Sequence, residues 1–349
     1  MLAHSHLPPA PAHEPPLRVA VIRRPANPLS LAVFEAALAP HWANEGITLL
    51  PCDENGPLPP SDLLWEPGAG WRLTAPVVRK AWQTRHPLLV TLHGLRPFVL
   101  PSPQDGPQAD LVRQTLLADW QHLRHHAHVV SPSAFGAQEV QTIYGVPAEH
   151  LHIIPHGVDT ALFHPPGLLQ RLRPSRPALL HIATWQPVKN TDRVFAAYAS
   201  LPSPKPALLA IVPGYPAADA PPPPPGVQLS TAARPAAELA ALYRQALAFI
   251  APSLRETFGM PLLEAMASGC PVLTANTSAC AEVGQGAALL VDPADTQAIA
   301  QGLHTLITQA TLRRRLSRSG LHRARAYPWA ASAQTYAALM RCIARPERC

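Results

Sequence analysis

Two acidic residues, Glu256 and Glu264, stand in the stretch of sequence with the clearest chemistry. Between them lies Pro261, a residue that suits the first position of a helix. Free N–H groups at a helix start favour phosphate. Carboxylates only accept hydrogen bonds, so they match the paired hydroxyls of a sugar or a ribose. The pattern therefore predicts a pocket for a sugar that is joined to a nucleotide through a diphosphate.

The elements around these residues place the pocket at the edge of a sheet. A predicted strand over residues 247–251 runs into a polar loop, and Gly269 suits the position just past the last turn of the helix that follows. A second strand begins at Pro271. The helix therefore starts at the carboxyl end of a strand, where open α/β sheets bind ligands. Glu256 lies in the loop, and Glu264 lies within the first predicted helical turn.

Apolar runs of strand length recur along the whole chain and alternate with helical stretches. One set covers residues 17–22, 47–52, 88–92, 127–131 and 151–155, and another covers 178–183, 207–212, 227–230, 247–251, 272–275 and 287–291. Alternation of buried strands with helices predicts an α/β fold with parallel, doubly wound sheets. Two sets of strands in 349 residues predict two domains.

Changes in composition suggest where the domains begin and end. Residues 1–16 are rich in His, Pro and Ala, which predicts a disordered N-terminal tail. The segment 164–177 is rich in Pro and Arg and lacks apolar periodicity, so it is expected to join the two domains. The first domain is therefore predicted over residues 17–165 and the second over residues 166–329.

The charge balance points to small anionic ligands. The chain has 28 basic and 22 acidic residues, a formal net charge of +6, and a hydrophobic content of 47%. This mild excess suits nucleotide sugars or phospholipid-linked acceptors, and no nucleic-acid partner is predicted. One predicted helix is strongly basic, with arginines at 313, 314, 315, 318, 323 and 325. It is expected to be either a solvated face or a peripheral contact with an anionic membrane.

The remaining composition favours a reduced compartment. The five cysteines are odd in number and form no Cys-x-x-Cys pair. The apolar runs are too short for a membrane span, and the first residues lack the features of a secretion signal. The protein is therefore expected to be cytoplasmic, either soluble or peripheral at the inner face of the membrane.

Several kinds of catalytic site have no counterpart in the sequence. It contains no Gly-x-Gly-x-x-Gly, no phosphate loop of nucleotide hydrolases and no Gly-x-Ser-x-Gly, which disfavours dehydrogenase, ATPase and serine hydrolase functions. It also contains no Asp-x-Asp. Four histidines between residues 122 and 128 favour a solvated helix over a zinc site, because no cysteine accompanies them. No metal and no cofactor are predicted.

Residues 256–272 resemble the signature of the retaining GT-B glycosyltransferases of family 4 (group 1), Glu-x-Phe-Gly-x-Pro-x-x-Glu-Ala-Met-Ala-x-Gly-x-Pro-Val. The resemblance implies that Glu256 is a catalytic-site residue that holds hydroxyls of the donor sugar, and that Glu264 holds the ribose. It further implies a donor-binding helix start, made of Phe258, Gly259, Met260, Pro261 and Leu262.

Residues 181–190 are similar to a second element of that family, Gly-Arg/Thr-x-x-x-x-Lys-Asn/Gly. The resemblance makes Lys189 a catalytic residue that stabilises the departing diphosphate, because a cation near a developing negative charge lowers the barrier. It places Thr184 in the donor site, where many members have Arg. Ala183 stands where Gly is usual in the family.

Residues 91–97 look like the family's Thr-x-His-Asp-Leu-x-Pro, in which the His lies near the sugar and the acceptor. His93 is the third predicted catalytic residue, although Gly94 replaces the usual Asp. The loop after the first strand lacks the glycines of many relatives. Either its arginines, Arg23 and Arg24, or Asn27 and Ser30 replace them, or acceptor recognition differs.

Taken as a whole, the resemblance implies two Rossmann-like domains that face each other across a cleft, with a C-terminal helix (about 330–349) that crosses back to the first domain. The implied activity is metal-independent, retaining transfer of a hexose to an acceptor hydroxyl on a glycan, a lipid-linked acceptor or a small molecule, as in polysaccharide biosynthesis. The first domain takes the acceptor and the second takes the donor.

Two alternatives stay open. A catalytically degenerate protein that binds a sugar nucleotide is suggested by Thr184, Gly94 and the glycine-free first loop. A sugar-nucleotide epimerase would use the same architecture. The sequence leaves the base and the sugar of the donor open.

Overall fold

A computed structural model describes residues 15–24, 29–70, 73–95, 98, 109–167, 177–216 and 222–349. Most of the predicted tail (1–16) and of the predicted linker (164–177), as well as Asn27 in the first loop, lie outside these ranges. The chain divides into two compact units. The first unit contains the residues up to Gly157 together with Trp329–Cys349, and the second unit is Val158–Pro328.

The first unit contains a parallel six-stranded sheet within its described residues. Its strands are β1 (Leu17–Arg23), β2 (Ile47–Asp53), β3 (Leu63–Ala69), β4 (Leu88–Leu92), β5 (His128–Ser131) and β6 (Leu151–Ile153). They lie in the order β2-β1-β3-β4-β5-β6. The helices of this part are α1 (Leu29–Asn44), α2 (Pro76–Gln83), α3 (Ala109–Leu123) and α4 (Ala134–Tyr144). All residues of β4 are buried, as expected for a parallel strand covered on both faces.

Strand β3 is missing from the sequence prediction. Its sequence, Leu-Leu-Trp-Glu-Pro-Gly-Ala, places a charge, a proline and a glycine inside an otherwise apolar run. The pairing of β3 with β4 shifts register between Glu66 and Ala69, so the strand contains an irregularity where the apolar pattern stops. The other strands of this sheet overlap their predicted positions.

The second unit contains another parallel sheet, again with six strands in the described part of the chain. Its strands are β7 (Leu179–Ile182), β8 (Leu208–Ile211), β9 (Val227–Ser230), β10 (Ala248–Ala251), β11 (Val272–Ala275) and β12 (Leu289–Val291). Their order is β12-β11-β10-β7-β8-β9. The helices are α5 (Thr191–Ala199), α6 (Ala236–Gln245), α7 (Met260–Ala267), α8 (Ser278–Gly284), α9 (Thr296–Thr308) and α10 (Ala310–Arg325). This strand order is that of a classical doubly wound nucleotide-binding sheet.

The last helix, α11 (Trp329–Ala344), returns to the first unit. It packs against α1, and the indole Nε1 of Trp42 donates a 2.9 Å hydrogen bond to the carbonyl of Ala333. Before it, the N–H of Val158 donates to the carbonyl of Tyr327, so the chain already belongs to the second unit at Val158. This division falls eight residues before the border predicted at 165/166.

The cysteines differ in part from the sequence expectation of a reduced set. Cys342 and Cys349 form a disulfide at the end of α11, because the helix end and the following turn bring the two residues together. Cys52, Cys270 and Cys280 are free and buried. Over the described residues, each helix is too short or too polar to cross a membrane.

Candidate active site

The second unit has a topological switch point between β7 and β10. The chain leaves these two neighbouring strands in opposite directions along the sheet, which opens a crevice at their carboxyl ends. Lys189 follows β7, and Glu256 follows β10. The strand order therefore brings together two predicted catalytic residues that are 67 positions apart in sequence.

Lys189 and Glu256 form an ion pair at this crevice. The Nζ atom of Lys189 lies 2.5 Å from Oε1 of Glu256, and their side chains are 24% and 19% exposed. Burial lowers the pKa of Lys189, but the charge of Glu256 and its hydrogen bond outweigh burial and leave that pKa above its ordinary value. Lys189 therefore stays a cation beside the crevice.

The loop that carries Lys189 is fixed by Asn190, which the sequence analysis did not assign. Asn190 is buried, and its Nδ2 donates to the carbonyls of Pro252 (2.9 Å) and Pro293 (2.7 Å). It adopts a left-handed conformation with φ of 63°, which asparagine tolerates better than most residues. The Lys-Asn pair in the sequence was the available signal, because asparagine is common at such a turn.

The loop that carries Glu256 is fixed by two serines. The hydroxyl of Ser253 donates to Oε1 of Glu256 at 3.0 Å, and the N–H of Glu256 donates to Oγ of Ser278 at 3.2 Å. The carbonyl of Glu256 accepts from the N–H of Ala279 at the start of α8. Both the side chain and the backbone of Glu256 are therefore held in place.

Helix α7 starts beside this pair. Gly259 precedes the helix with φ of +90°, a conformation that favours glycine, and Pro261 occupies the first turn. Among the described residues no acceptor bonds the N–H of Gly259 or of Met260. The helix ends as predicted: Gly269 is left-handed and donates to Met266, and Cys270 donates to Ala265, which is a Schellman motif.

Glu264 lies one residue further along α7 than expected. The helix begins at Met260 rather than at Pro261, so its first turn contains no acid, and Glu264 is its fifth residue. The hydroxyl of Tyr243 donates to Oε2 of Glu264 at 3.4 Å. Burial raises the pKa of Glu264 to about 7, although the bond from Tyr243 opposes this rise.

The catalytic and donor-binding residues predicted in the second unit fall into two groups. Lys189, Glu256, Gly259, Pro261 and Leu262 line one pocket. Thr184, Phe258, Met260 and Glu264 are outside that lining: Thr184 is exposed, and Phe258 is buried with its ring 5.9 Å from that of Tyr327.

The same pocket contains a histidine that the sequence analysis did not assign. His181 is buried at the end of β7, where Nδ1 bonds the carbonyl of Ile250 and Nε2 bonds the hydroxyl of Thr191. Burial lowers its pKa to about 4, although the Ile250 carbonyl opposes this shift. His181 is therefore neutral near pH 7, and it ties β7 to β10 and α5.

His93, the third predicted catalytic residue, lies in the first unit just after β4. Its Nε2 lies 2.7 Å from the carbonyl of Pro67, and its Nδ1 lies 3.2 Å from Nε2 of His156. The ring of Phe34 packs against it edge-on at 4.8 Å. Burial lowers the pKa of His93 to about 4, while the Pro67 carbonyl raises it. Both ring nitrogens are engaged within the unit.

The first loop contributes a second ion cluster. Arg24 donates to both oxygens of Glu66 (2.7 and 2.5 Å) and to Glu54 (2.6 Å). Burial lowers the pKa of Arg24, but the two carboxylates more than reverse this effect and raise it. Arg23 pairs with Glu35 of α1. Both arginines of the loop thus contact carboxylates of their own unit, and the Arg24 cluster was not predicted because β3 was missed.

Among the described residues, no three or more His, Cys, Asp or Glu side chains lie together in an arrangement that could hold a metal ion.

Two family profiles match the chain. The profile "Glycosyl transferases group 1" matches residues 170–323, which lie in the second unit and include Lys189, Glu256 and Glu264. The profile "Glycosyltransferase Family 4" matches residues 68–162, which include His93. Both profiles agree with the resemblance identified from the motifs.

Curated relatives are glycosyltransferases. An MMP alpha-(1->4)-mannosyltransferase from Mycolicibacterium hassiacum is 31% identical over 244 residues, which cover 65% of this chain and 57% of the relative. A D-inositol 3-phosphate glycosyltransferase from Segniliparus rotundus is 26% identical over 251 residues, which cover 66% of this chain and 56% of the relative. These alignments span little more than half the length of the relatives.

Solved structures share the fold over nearly the whole chain. A sucrose-phosphate synthase from Thermosynechococcus elongatus has a TM-score of 0.71 at 18% identity, covering 93% of this chain and 98% of its own. Anabaena HepE, solved with UDP-glucose, has a TM-score of 0.70 at 17% identity and covers 93% and 99%. These likenesses confirm the predicted GT-B fold. The chain belongs to the family 4, group 1 glycosyltransferases.

Proposed function

We propose that this protein is a retaining glycosyltransferase that moves a hexose from a nucleotide-diphosphate sugar to an acceptor hydroxyl. The observation that carries the proposal is the ion pair of Lys189 and Glu256 at a switch point, beside the open N–H groups of the α7 start. A cation, a carboxylate and a helix start at one crevice match a phosphorylated sugar. The second unit would bind the donor, and the first unit would bind the acceptor.

The proposed donor pose follows from the charges. The diphosphate would lie at the N–H groups of Gly259 and Met260 with Lys189 beside it, because these groups supply positive charge. Hydroxyls of the sugar would bind Glu256, and hydroxyls of the ribose would bind Glu264. HepE was solved with UDP and with UDP-glucose, so a neighbour of the same fold binds a donor of this class.

The proposed chemistry is stabilisation of the leaving group. When the bond between the sugar carbon and the diphosphate oxygen breaks, negative charge grows on the diphosphate. Lys189 and the helix start are fixed beforehand, so they stabilise that charge without reorganising. Glu256 contributes by keeping Lys189 protonated, as the raised pKa of the lysine indicates.

Retention fits a front-face displacement. Glu256 is held by Lys189 and Ser253, so it is engaged in positioning and does not have the freedom of a nucleophile. The acceptor oxygen would attack on the side from which the diphosphate leaves, and its proton would pass to the departing phosphate oxygen. Lys189 and the start of α7 supply the positive charge that a metal ion would otherwise supply to the departing diphosphate, so we propose a metal-independent reaction.

The roles of His93 and Thr184 stay predictions. The two bonds of His93 and its low pKa favour a neutral ring that shapes the acceptor side over a group that exchanges protons. Thr184 is exposed at the end of β7, where it would contribute a hydroxyl to the donor diphosphate. The acceptor would be a glycan, a lipid-linked sugar or a small molecule, and the enzyme would act in the cytoplasm.

A donor panel tests the proposal. Melting temperatures would be measured with UDP-, GDP- and dTDP-hexoses, because a ligand that binds the folded state raises the melting temperature. With the donor that binds, slow release of the nucleoside diphosphate is expected, together with sugar transfer to added acceptors. The product should keep the anomeric configuration of the donor, measured by NMR.

Three outcomes would contradict the proposal. Binding without release of diphosphate would indicate a degenerate binding protein. Conversion of the donor sugar into its epimer, seen by NMR, would indicate an epimerase. Full transfer by Glu256→Ala, at the rate of the exposed-site control Glu238→Ala, would remove Glu256 from the site.

A further inference from the structure

The exposed face of α10 is a stripe of positive charge. Arg314, Arg315, Arg318, His322 and Arg325 are all exposed, and we name this set the basic stripe. At 3.6 residues per turn they fall within an arc of about 100° and extend over about 17 Å. The buried residues of the helix, Leu316, Gly320 and Ala324, lie on the opposite side.

This helix accounts for the charge excess of the whole chain. The chain has 28 basic and 22 acidic residues, and α10 contains six arginines and no acid. Without α10 the remaining basic and acidic residues are equal, at 22 each. The net charge of +6 therefore lies on one helix instead of being spread over the surface.

Within the described part of the chain, the stripe arginines have no structural task beyond one weak contact, the 3.4 Å hydrogen bond from Arg314 to Oγ1 of Thr311. None of Arg314, Arg315, Arg318 and Arg325 forms an ion pair with a described acid. The other two arginines of the helix do have one. Arg313 donates to the carbonyls of Leu306 and Ile307, and Arg323 donates to those of Glu282 and Val283.

Contacts on the buried side of α10 hold the helix against the second unit. Gly320 lies against Met266 of α7 so closely that an added Cβ would sit 3.1 Å from that side chain. The hydroxyl of Ser317 donates to the carbonyl of Gly269 at 2.7 Å. The helix backbone that carries the stripe is therefore fixed before the stripe meets a partner.

We propose that the basic stripe binds the surface of a bilayer that contains anionic lipids. A straight row of charges within a 100° arc touches a plane with all its members at once. A helix in a nucleic-acid groove meets phosphates on both flanks, whereas here the cations lie on one side only. Clusters of four or more Arg or Lys on a helix are typical of anionic lipid binding.

The contact is electrostatic and does not insert into the bilayer. The apolar side of α10 is used inside the unit, and the flanking Leu312 and Leu321 are half-buried. Binding should therefore depend steeply on salt, because screening shortens the reach of exposed charges. The inference is independent of the proposed transfer reaction and needs no donor or acceptor.

The test is sedimentation of the purified protein with vesicles. Vesicles of phosphatidylcholine alone are compared with vesicles that contain about 30 mole per cent phosphatidylglycerol, an anionic lipid that gives the vesicles a negative surface charge. Binding to the anionic vesicles only is expected at about 0.1 M salt, with loss of binding near 1 M. The triple variant Arg314→Gln/Arg318→Gln/Arg325→Gln should bind on the order of 100-fold more weakly.

A matched variant separates the stripe from net charge. Arg18, Arg85 and Arg234 are exposed and lie outside α10, so their triple change to Gln removes the same charge. It should bind within about threefold of the wild type, because none of these three arginines belongs to the row of charges on α10 that is proposed to face the bilayer. Both triple variants should release diphosphate from the donor at the wild-type rate. If the stripe triple does not fold, Arg318→Gln alone should weaken binding about fivefold.

Some results would overturn the proposal. They are equal binding to neutral vesicles, undiminished binding by the stripe variants, and equal losses in the two triple variants. Tighter binding to a labelled DNA duplex than to vesicles at the same salt would assign the stripe to nucleic acid. Displacement from vesicles by millimolar inorganic phosphate at constant ionic strength would assign it to a soluble anion.

Discussion

Both units place a cation and a carboxylate at the switch point of their sheet. In the first unit the switch lies between β1 and β3, where Arg24 meets Glu66. In the second unit it lies between β7 and β10, where Lys189 meets Glu256. Each pair lies at the switch point of its sheet, although Glu66 is within β3 whereas Lys189 and Glu256 follow their strands. The surroundings of the two pairs differ as well.

The pair in the first unit is closed. The side chains of Arg24 and Glu66 are each 4% exposed, and Arg24 is held by both oxygens of Glu66 and also by Glu54. A guanidinium that is engaged in this way cannot turn to a ligand without leaving two carboxylates uncompensated. Arg24 is thus better suited to holding β1, β2 and β3 together than to replacing the missing glycines of the first loop.

The pair in the second unit is open. Its side chains are 24% and 19% exposed, and a single short contact joins them. An ammonium has three donors, so Lys189 keeps donors for a ligand after it has bound Glu256. The same ion chemistry at a switch point thus suits a structural role where it is saturated and buried, and suits ligand binding where it is incomplete and accessible.

The largest expected effect is on the stability of the first unit. Arg24→Met removes the only described cation bonded to Glu66 and leaves that carboxylate buried. Breaking a buried ion pair from one side costs about 3–5 kcal/mol, and urea unfolding would measure the loss. Arg18→Met on β1, the strand that precedes Arg24, is the control: Arg18 is exposed, so a change within about 0.5 kcal/mol is expected. An Arg24 variant with normal stability but no activity would contradict a purely structural role for Arg24.

A change at Lys189 should reduce catalysis and leave the fold intact. Lys189→Met removes a fixed cation from the proposed leaving group, so turnover should fall by about 10²- to 10³-fold, as for the loss of one preorganised donor. Steady-state kinetics with the donor found in the panel would measure it. Lys80→Met, an exposed lysine of α2, should keep full turnover. If Lys189→Met lowered the free energy of unfolding as much as Arg24→Met does, both pairs would be structural.

A third prediction concerns pH and Glu264. Its folded-state pKa is about 7, above its ordinary value, because of burial. Between the two values Glu264 holds a proton in the folded protein that it has lost in the unfolded chain, so the contribution of Glu264 to stability should fall as pH rises from about 5 to 8. The buried histidines His93 and His181, with a pKa of about 4, act in the opposite sense below about pH 6.5, so the effect is measured as the difference between the wild type and Glu264→Gln. In Glu264→Gln this fall should be smaller, and its melting temperature should exceed that of the wild type at pH 8 but not at pH 5. A parallel pH dependence in both proteins would show that Glu264 does not titrate in this window.

The same titration should govern donor affinity. If ribose hydroxyls bind the carboxylate form, affinity should rise about tenfold from pH 6 to pH 8, as the ionised fraction of a group with a pKa of about 7 rises about tenfold. The phosphates of a nucleotide sugar stay ionised throughout this range, and the pKa of His181 is about 4. Calorimetry with Glu264→Gln should give a flat profile, and a wild-type rise that persists in this variant would place the titrating group elsewhere.

The sequence indicated the surroundings of Glu256 better than those of Arg24 and Glu66, for a physical reason. Residues around Glu256 form a local strand, loop and helix, so Pro261 and Gly269 indicate its geometry by their own conformational preferences. The closed pair depends on β3 lying beside β1, and β3 contains the charge, proline and glycine that interrupt its apolar pattern. Long-range strand order is set by packing, which no local pattern reports.

The remaining differences between sequence prediction and structure have one local cause and two long-range causes. The helix start was displaced by one residue, because Pro261 is accepted at the second helical position as well as the first, and this moved Glu264 out of the first turn. The engagement of His93 by Pro67 and His156 required the missed strand and a contact across 63 positions. Asn190 was visible in the sequence, but its bonds to Pro252 and Pro293 depend on loops from two other strands.

The smallest expected effect separates the two tasks of Asn190. Asn190→Gly keeps the left-handed backbone but loses the bonds to Pro252 and Pro293, which should cost about 1–3 kcal/mol of stability. Asn190→Ala loses the bonds and also strains the backbone, so it should be less stable than the glycine variant by about 1 kcal/mol. Because both bonds of its amide go to backbone carbonyls, Asn190 is expected to position Lys189, and Asn190→Gly should lower kcat/KM less than Lys189→Met does. Equal kinetic losses in Asn190→Gly and Lys189→Met would show that the open pair works only when its loop is locked, and the distinction between an open and a closed switch point would then be one of degree.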